Sequence, residues 1–132
     1  MDSWTSHIRV RYAETDKMGI VYHANYLIWF EATRIELLDA AGLPYIGLEK
    51  RGFLLPVLDA RISYIKPARF DDRLDITATI TRCSGVRMEI AYEVRRGDEL
   101  LCTGSTGHAW MSAEGTACRP PKEFLDRFRT GS

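Results

Sequence analysis

The sequence predicts an α+β domain in which a curved antiparallel sheet of about five strands wraps around one long central helix. A single stretch with helical spacing, residues 25–41, comes early in the chain, and four predicted strands follow it, of which 74–81 and 86–95 show clear alternation. Consecutive strands joined by short turns pair antiparallel, and only the long helix is large enough to cover their apolar faces. The length of 132 residues suits one domain, so residues 1–132 are predicted to form a single domain.

The first predicted element is a strand from His7 to Ala13. Its apolar and polar residues alternate, which is the period of a half-buried strand. The stretch from Glu14 to Ala24 has no clear period and is predicted to be a loop.

The long helix is predicted from Asn25 to Ala41. Asn25 is a candidate N-cap, and Gly42 followed by Leu43 and Pro44 is predicted to end the helix. Apolar residues occur on more than one side, which is typical of a buried helix. The main stripe consists of Tyr26, Trp29, Phe30, Thr33, Leu37 and Ala40, and the apolar residues off it are Ile28, Ile35 and Leu38.

Four strands and two short helical turns are predicted in the rest of the chain. Pro56 is expected to interrupt or bend the first of these strands near its start. Gly85 connects the second strand to the third, and Gly97-Asp98 predicts a hairpin between the third and the fourth. The predicted strands are 53–65, 74–81, 86–95 and 100–111, and the predicted helical turns are 45–52 and 123–129.

Charge and hydropathy exclude several classes of protein. The formal net charge is zero, whereas a nucleic-acid-binding protein usually carries a basic excess, so no nucleic-acid partner is predicted. No apolar run approaches the roughly 20 residues of a membrane-spanning helix. The first residues also lack the basic and apolar regions of a signal peptide. A cytoplasmic protein without membrane insertion is therefore predicted.

The cysteines and histidines do not form a metal-binding pattern. Cys83, Cys102 and Cys118 are odd in number and contain no C-x-x-C spacing, so they are predicted to be reduced structural residues. The three histidines are far apart in the chain and share no ligand spacing. Neither a metal site nor a cofactor is predicted.

The stretch just before the long helix contains the residues best suited to chemistry. Asp16 places a carboxylate there, and Gly19 allows a loop conformation that other residues avoid. The helix N-terminus, around His23 to Tyr26, offers free N–H groups that favour an anion or a developing oxyanion. Such a pair suits acyl transfer. Spacing alone leaves the alternative open, because an aspartate in a loop is more often a turn residue or a cap.

Two segments of the chain resemble a known family. Residues 15–26, T-D-K-M-G-I-V-Y-H-A-N-Y, resemble the signature of the 4-hydroxybenzoyl-CoA thioesterase family of hot-dog-fold proteins, and are closest to the small bacterial acyl-CoA thioesterases associated with the Tol–Pal cluster. Residues 64–72 resemble the Y-x-x-P-A-x-x-D-D segment of that family, and Arg34-Ile35-Glu36 in the helix also matches. The likeness runs from about Arg9 to Phe124 and implies the hot-dog fold.

The resemblance implies hydrolysis of an acyl-CoA thioester to a free acid and CoA. It assigns the catalytic carboxylate to Asp16, as general base or as nucleophile, and the N–H group that polarises the thioester carbonyl to His23. The imidazole of His23 is either a participant or a polar group that satisfies loop hydrogen bonds. Family members join edge to edge with the active site at the seam, so a homodimer or homotetramer is expected.

Substrate contacts are also carried over from the resemblance. Where the family's aromatic-CoA enzyme has a basic cluster for CoA phosphates, this chain has residues 84–86, S-G-V. The flanking arginines either pair with phosphates or are solvated strand residues, and the lost cluster argues against 4-hydroxybenzoyl-CoA itself as substrate. The predicted substrate-binding residues are Gly19, Val21, Tyr22, Tyr26, Arg82 and Arg87.

Several other polar residues and two other functions remain as alternatives. Glu31 is expected to make helix-surface or subunit contacts, Asp71 and Asp72 to form a turn, and His108 and Trp110 to pack in the last strand. A non-catalytic acyl-CoA-binding module and a hot-dog hydratase are the alternative functions. The sequence leaves the acyl group and the choice between CoA and a carrier protein open.

Overall fold

The computed structural model describes residues 2–128. A five-stranded antiparallel sheet curls around one long helix, as predicted, in the strand order β1-β4-β5-β6-β3, and a two-stranded sheet pairs β2 with β7. The elements are β1 (Ser3–Arg9), a 3-10 turn (Tyr12–Glu14), α1 (Asn25–Ala40), α2 (Tyr45–Lys50), β2 (Phe53–Leu54), β3 (Val57–Tyr64), β4 (Arg73–Ser84), β5 (Arg87–Arg96), β6 (Glu99–Ala109), β7 (Met111–Ser112) and α3 (Lys122–Phe128).

The core lies between α1 and the concave face of the sheet. Phe30 of α1 stacks on Tyr92 of β5 with ring centroids 4.2 Å apart. Gly104 of β6 lies against the same phenylalanine, and a Cβ atom at that position would come within 2.6 Å of its ring. Close contact between helix and sheet therefore requires a glycine at this point. The outer face of β4, with Thr77 and Thr79, is more exposed, as the alternation predicted.

One side of α1 remains open to solvent in the single chain. The predicted stripe is buried except for Ala40, and Leu38, which was predicted to lie off it, is only 3% exposed. Leu27 and Ile28 are 42% and 60% exposed. The expectation of a buried helix thus holds for only one side of α1 in a single chain, because the sheet covers only that side.

The two ends of α1 differ in how well the sequence predicted them. Gly42 ends the helix as expected, with φ +78°, and the Leu43 N–H donates to the Leu38 carbonyl at 2.9 Å. The prediction of Asn25 as N-cap is wrong. Asn25 is the first helical residue, and its side-chain amide donates instead to the carbonyl of Glu14 at 2.9 Å.

The first strand begins and ends earlier than predicted. It runs from Ser3 to Arg9, and Arg9 pairs with Arg73, the first residue of β4. Val10 still exchanges backbone hydrogen bonds with Asp71 and Asp72 in the turn before β4, and the chain then turns away into its 3-10 turn. The alternation of apolar and polar residues continues as far as Ala13, which is why the strand was predicted to end there. It does not mark a strand in this turn, because Tyr12, an apolar position of the pattern, is 77% exposed.

The order of the strands differs from the sequence order. The break at Pro56 separates β2 from β3 as predicted, but β3 pairs with β6 and not with the next strand, β4. Residues 65–72 cross between them, and the Ala68 carbonyl accepts a hydrogen bond from Val21 in the preceding loop. This crossing makes β1 and β3 the two edges of the sheet.

The last part of the chain largely follows the prediction. Strand β6 ends at Ala109, and Met111, predicted to belong to it, pairs with Leu54 of β2. Strand β4 extends three residues beyond its predicted end, whereas β5 has the predicted length and lies one residue later. Helix α3 covers the predicted residues 123–128, and Arg129 lies outside the described residues. No helix within residues 2–128 is long and apolar enough to cross a membrane.

The cysteines occupy structural positions. Burial raises the pKa of Cys83 to about 11 and that of Cys102 to about 12, so both are thiols at neutral pH. Cys118 is partly buried. Their placement agrees with the prediction of reduced packing residues.

Candidate active site

The loop before α1 folds into a small hairpin that carries Asp16. Thr15 and Val21 form an antiparallel bridge, and the Asp16 N–H donates to the Ile20 carbonyl at 2.9 Å. The Gly19 N–H donates a hydrogen bond to the Asp16 carbonyl at 2.9 Å, which closes the turn, and Gly19 has φ +79°. The conformational role predicted for this glycine is confirmed, since a side chain would be strained at that angle.

One oxygen of the Asp16 carboxylate is held and the other is open. The Met18 N–H donates to Oδ1 at 2.8 Å, which fixes the side chain in the turn. Within residues 2–128, Oδ2 has no hydrogen-bond partner, and Asp16 lines a cavity of about 360 Å³. The turn role and the site role of Asp16 are therefore compatible.

Several predicted site residues share this cavity. Val21, His23 and Tyr26 line it together with Asp16, whereas Gly19 shapes the turn behind it. Tyr22 is outside the lining and packs on the ring of His23, with centroids 4.5 Å apart. The full lining is Asp16, Met18, Ile20, Val21, His23, Tyr26, Tyr64, Ile65, Lys66 and Pro67.

His23 lies two residues before the first residue of α1. Its carbonyl accepts hydrogen bonds from Tyr26 N–H and from the Tyr64 hydroxyl, the latter at 2.9 Å. Burial raises the pKa of Tyr64, which keeps the hydroxyl protonated as a donor at neutral pH. The N–H of His23 donates to no residue in the described range 2–128. It remains available at the positive end of the helix dipole.

A buried carboxylate that the sequence did not reveal connects the loop to the helix. Glu14 is 6% exposed and accepts hydrogen bonds from the Arg11 N–H at 2.8 Å and the Trp29 indole at 2.9 Å. Burial alone would raise the pKa of Glu14, but these hydrogen bonds together hold it below its usual value. Its carbonyl also accepts the Asn25 amide, so Glu14 positions the hairpin on α1.

Tyr64 and Lys66 are further cavity residues that residue-by-residue reasoning missed. Both lie in segment 64–72, which matched the family pattern but was not assigned to the site. Lys66 donates to Glu99 at 2.8 Å, and Arg96 joins Glu99 to Asp72. The match of residues 64–72 to the family pattern could therefore have predicted that this segment forms one wall of the cavity.

Arg82 and Arg87 are not brought to this cavity within one chain. They flank the β4–β5 turn, whereas the Asp16 hairpin bridges to Arg69, just before β4 begins. Arg82 lies nine positions after Arg73 along β4, which corresponds to about 30 Å. The predicted phosphate contacts therefore remain a prediction.

The other polar candidates occupy the places expected of structural residues. Glu31 is on the exposed side of α1, 3.8 Å from the guanidinium of Arg34. Asp71 has φ 70° in the turn before β4, where it pairs with Arg9. His108 is completely buried, with Nε2 at 2.8 Å from the Thr106 hydroxyl, and Trp110 is also completely buried.

A curled antiparallel sheet around one long central helix defines the hot-dog class of protein, and this chain has that fold. The chain belongs to the Thioesterase-like superfamily, whose family model matches residues 10–128.

Relatives of known sequence and structure support this classification. The Bacillus subtilis protein YneP is 40% identical over 108 residues, covering 81% of this chain and 78% of YneP. Acyl-CoA thioester hydrolase YbgC of Escherichia coli O157:H7 is 31% identical, covering 71% of this chain and 70% of YbgC. The crystal structure of DHNA-CoA thioesterase from Staphylococcus aureus has a TM-score of 0.87 at 33% identity, covering 97% of this chain and 84% of that one.

Proposed function

We propose that this chain hydrolyses an acyl-CoA thioester to a free carboxylic acid and CoA. The observation that carries the proposal is the open Asp16 oxygen in the same cavity as His23, whose N–H, at the start of α1, has no acceptor within residues 2–128. A carboxylate and an oxyanion donor in one cavity are what acyl transfer from a thioester requires. The names of the related E. coli and S. aureus enzymes support the same reaction.

Asp16 acts on the carbonyl carbon in one of two ways. As a general base it takes a proton from water, whose oxygen attacks the carbonyl, and the C–S bond then breaks to release the CoA thiolate, which takes up a proton. As a nucleophile it first forms a mixed anhydride, which water then hydrolyses. In both routes the His23 N–H stabilises the oxyanion, a contribution of about 10²–10³ in rate. The bond from Tyr64 to the His23 carbonyl holds the peptide that follows His23, next to the peptide that carries the His23 N–H.

A panel of acyl-CoAs tests the proposed reaction against its two alternatives. We expect release of free thiol from straight-chain and aromatic acyl-CoAs, and no hydration of enoyl-CoA measured in parallel. Hydration without thiol release would establish a hot-dog hydratase instead. Binding of acyl-CoA without either reaction would establish a non-catalytic binding module. The relative rates within the panel also define the preferred acyl group, which the sequence leaves open.

We also propose that the chain forms a homodimer at least, and more specifically a homotetramer. Strand β3 is an open edge of the sheet, and Val57 and Leu58 on it are 44% and 47% exposed. Leu27 and Ile28 of α1 add further exposed apolar area. Pairing of two β3 edges about a two-fold axis would cover these groups. The polar outer faces of β4 and β5 then remain for contact between two dimers.

Assembly is tested by light scattering together with thioesterase activity over a dilution series. We expect specific activity to fall as dimers dissociate, because the cavity beside Tyr64 lies at the end of β3. Leu58→Lys should shift dissociation to higher protein concentration, whereas Ile46→Lys, a change at an exposed apolar residue of α2, should not. A stable monomer with full activity would refute the dimer.

Further expectations belong to the same proposal. Residues 1–132 are proposed to form one hot-dog thioesterase domain that acts in the cytoplasm without a metal or other cofactor. Arg82 and Arg87 are proposed to meet CoA phosphates through a second copy of the chain, since they lie far from Asp16 in their own.

A further inference from the structure

The segment just before Asp16 contains a buried carboxylate to which the mechanism above assigns no role. The Glu14 side chain is only 8% exposed, and each of its two oxygens accepts a hydrogen bond. Oε1 accepts the Arg11 N–H at 2.8 Å, and Oε2 accepts the Trp29 indole at 2.9 Å. The Arg11 guanidinium lies 3.5 Å from Oε2 and gives the charge a cationic neighbour. The position therefore suits an ionised carboxylate, which can accept on both sides.

The backbone carbonyl of Glu14 makes two further contacts. It accepts the Tyr22 N–H at 2.9 Å, on the arm of the hairpin that returns to α1, and the Asn25 side-chain amide at 2.9 Å, at the start of α1. The carboxylate contacts α1 a second time through Trp29, about one turn further along the helix. Glu14 thus joins both arms of the hairpin to the first turns of α1.

The two groups assigned to the reaction lie next to these contacts. Asp16 follows Glu14 by two residues, and its N–H donates to the Ile20 carbonyl at 2.9 Å across the hairpin. His23 directly follows Tyr22, whose N–H donates to the Glu14 carbonyl. The spacing between the Asp16 carboxylate and the His23 N–H therefore depends on how the hairpin sits on the start of α1. Glu14 holds the hairpin and the helix together at that junction.

We propose that Glu14 is a positioning residue that sets the spacing between the Asp16 carboxylate and the His23 N–H during thioester hydrolysis. The inference rests on the function proposed above, because it assumes that these two groups act together on one carbonyl. Asp16, or the water that it activates, must meet the carbonyl carbon while the His23 N–H meets the carbonyl oxygen. Binding of the substrate does not require this spacing, so the contribution of Glu14 belongs in kcat and not in KM.

Glu14→Gln tests this role, because an amide keeps the size of the side chain but has an oxygen on only one side. Its NH2 group would meet either the Arg11 N–H or the Trp29 indole, donor against donor, and the hairpin should shift on α1. We expect kcat to fall at least about tenfold with KM close to the wild-type value, since a misplacement of about 1 Å can cost about 10²-fold. Thiol release over a range of acyl-CoA concentrations gives both constants, and circular dichroism checks the fold.

Trp29→Phe provides a rescue that a general loss of stability would not give. In the double variant Glu14→Gln/Trp29→Phe the amide no longer meets a donor on the helix side, and its oxygen can still accept the Arg11 N–H. Trp29→Phe alone should lower kcat less than Glu14→Gln does, because the other contacts of Glu14 remain. The double variant should have a higher kcat than Glu14→Gln, close to that of Trp29→Phe.

Glu36→Gln is the matched control. Glu36 also accepts a tryptophan indole, from Trp4 at 2.9 Å, but it is exposed on α1 and lies outside the cavity that contains Asp16. This variant should keep the wild-type kcat and KM. A fall in kcat that is confined to the Glu14 and Trp29 variants would therefore come from their place at the hairpin, and not from the loss of any glutamate–indole contact.

The outcomes separate the positioning role from the proposed hydrolysis. Near-normal kcat in folded Glu14→Gln, or a double variant less active than either single variant, would refute positioning and leave hydrolysis intact. A higher KM with unchanged kcat would also refute positioning, since Glu14 would then contribute to substrate binding. If Glu14→Gln does not fold, near-normal kcat in folded Trp29→Phe would refute it. A wild-type protein that releases no thiol from any acyl-CoA would refute the hydrolysis itself, and the positioning role with it.

Discussion

Asp16→Asn is expected to lower the kcat of thioester hydrolysis at least about 10²-fold, the low end for a general base. Asparagine has the same shape, and its side-chain oxygen can still accept the Met18 N–H that now donates to Oδ1 at 2.8 Å. The hairpin should therefore be retained while the charge and basicity of the open oxygen are lost. Thiol release under saturating acyl-CoA gives kcat, and circular dichroism checks the fold.

A matched control separates this effect from loss of any surface carboxylate. Asp98→Asn changes an exposed aspartate in the β5–β6 turn, outside the cavity, and should retain wild-type kcat. A folded Asp16→Asn protein with near-normal kcat would remove Asp16 from the mechanism. The activity would then have to be assigned to another group.

The stability of the protein is expected to fall between pH 6.5 and about 4 because of His108. Burial, with help from Arg34, lowers its pKa from 6.5 to about 4 in the folded state. In this window the unfolded chain binds a proton that the folded chain does not, so acid favours unfolding. This difference in pKa corresponds to about 3 kcal/mol in the free energy of unfolding. That contribution is fully present at pH 7 and is lost as the pH falls to about 4.

Urea unfolding of the wild type and of His108→Gln, at pH 7 and pH 4, measures this contribution. The variant should be less stable at pH 7, since it disturbs a buried residue, but its unfolding free energy should decline less on acidification, by about 3 kcal/mol. Glu14 also has a lowered pKa, so its own contribution to stability is lost mainly below pH 4.5. That loss is the same in both proteins. Protein concentration must be the same throughout, because assembly adds to stability. Parallel declines in the two proteins would contradict the assignment.

Much of the candidate site could be predicted because it lies in one continuous segment. Asp16, Gly19 and His23 are close in sequence and precede a strongly periodic helix, so their loop and their place at its start follow from local pattern. The resemblance to the thioesterase family then attached a chemistry to them. Turn geometry and helix entry are properties of neighbouring residues, which is why this part was accessible.

The rest of the site depends on residues that are distant along the chain. Tyr64 reaches the His23 carbonyl across 41 positions, and Trp29 reaches Glu14 across 15. No local pattern distinguishes a tyrosine that ends an edge strand against a loop from one that faces solvent. The cap predicted at Asn25 was wrong for the same reason, since the Glu14 carbonyl competed for its amide.

The sequence by itself determined the long helix, its end at Gly42, the alternating faces of β4 and β5, and the family of the chain. Each rests on a local period or motif, which needs no knowledge of what packs against it. Only the tertiary structure decided that β3 pairs with β6, that β1 stops at Arg9, and that the Trp29 indole donates to the Glu14 carboxylate. Strand order, strand ends and buried polar contacts arise from contacts between distant segments, and many arrangements share the same local pattern.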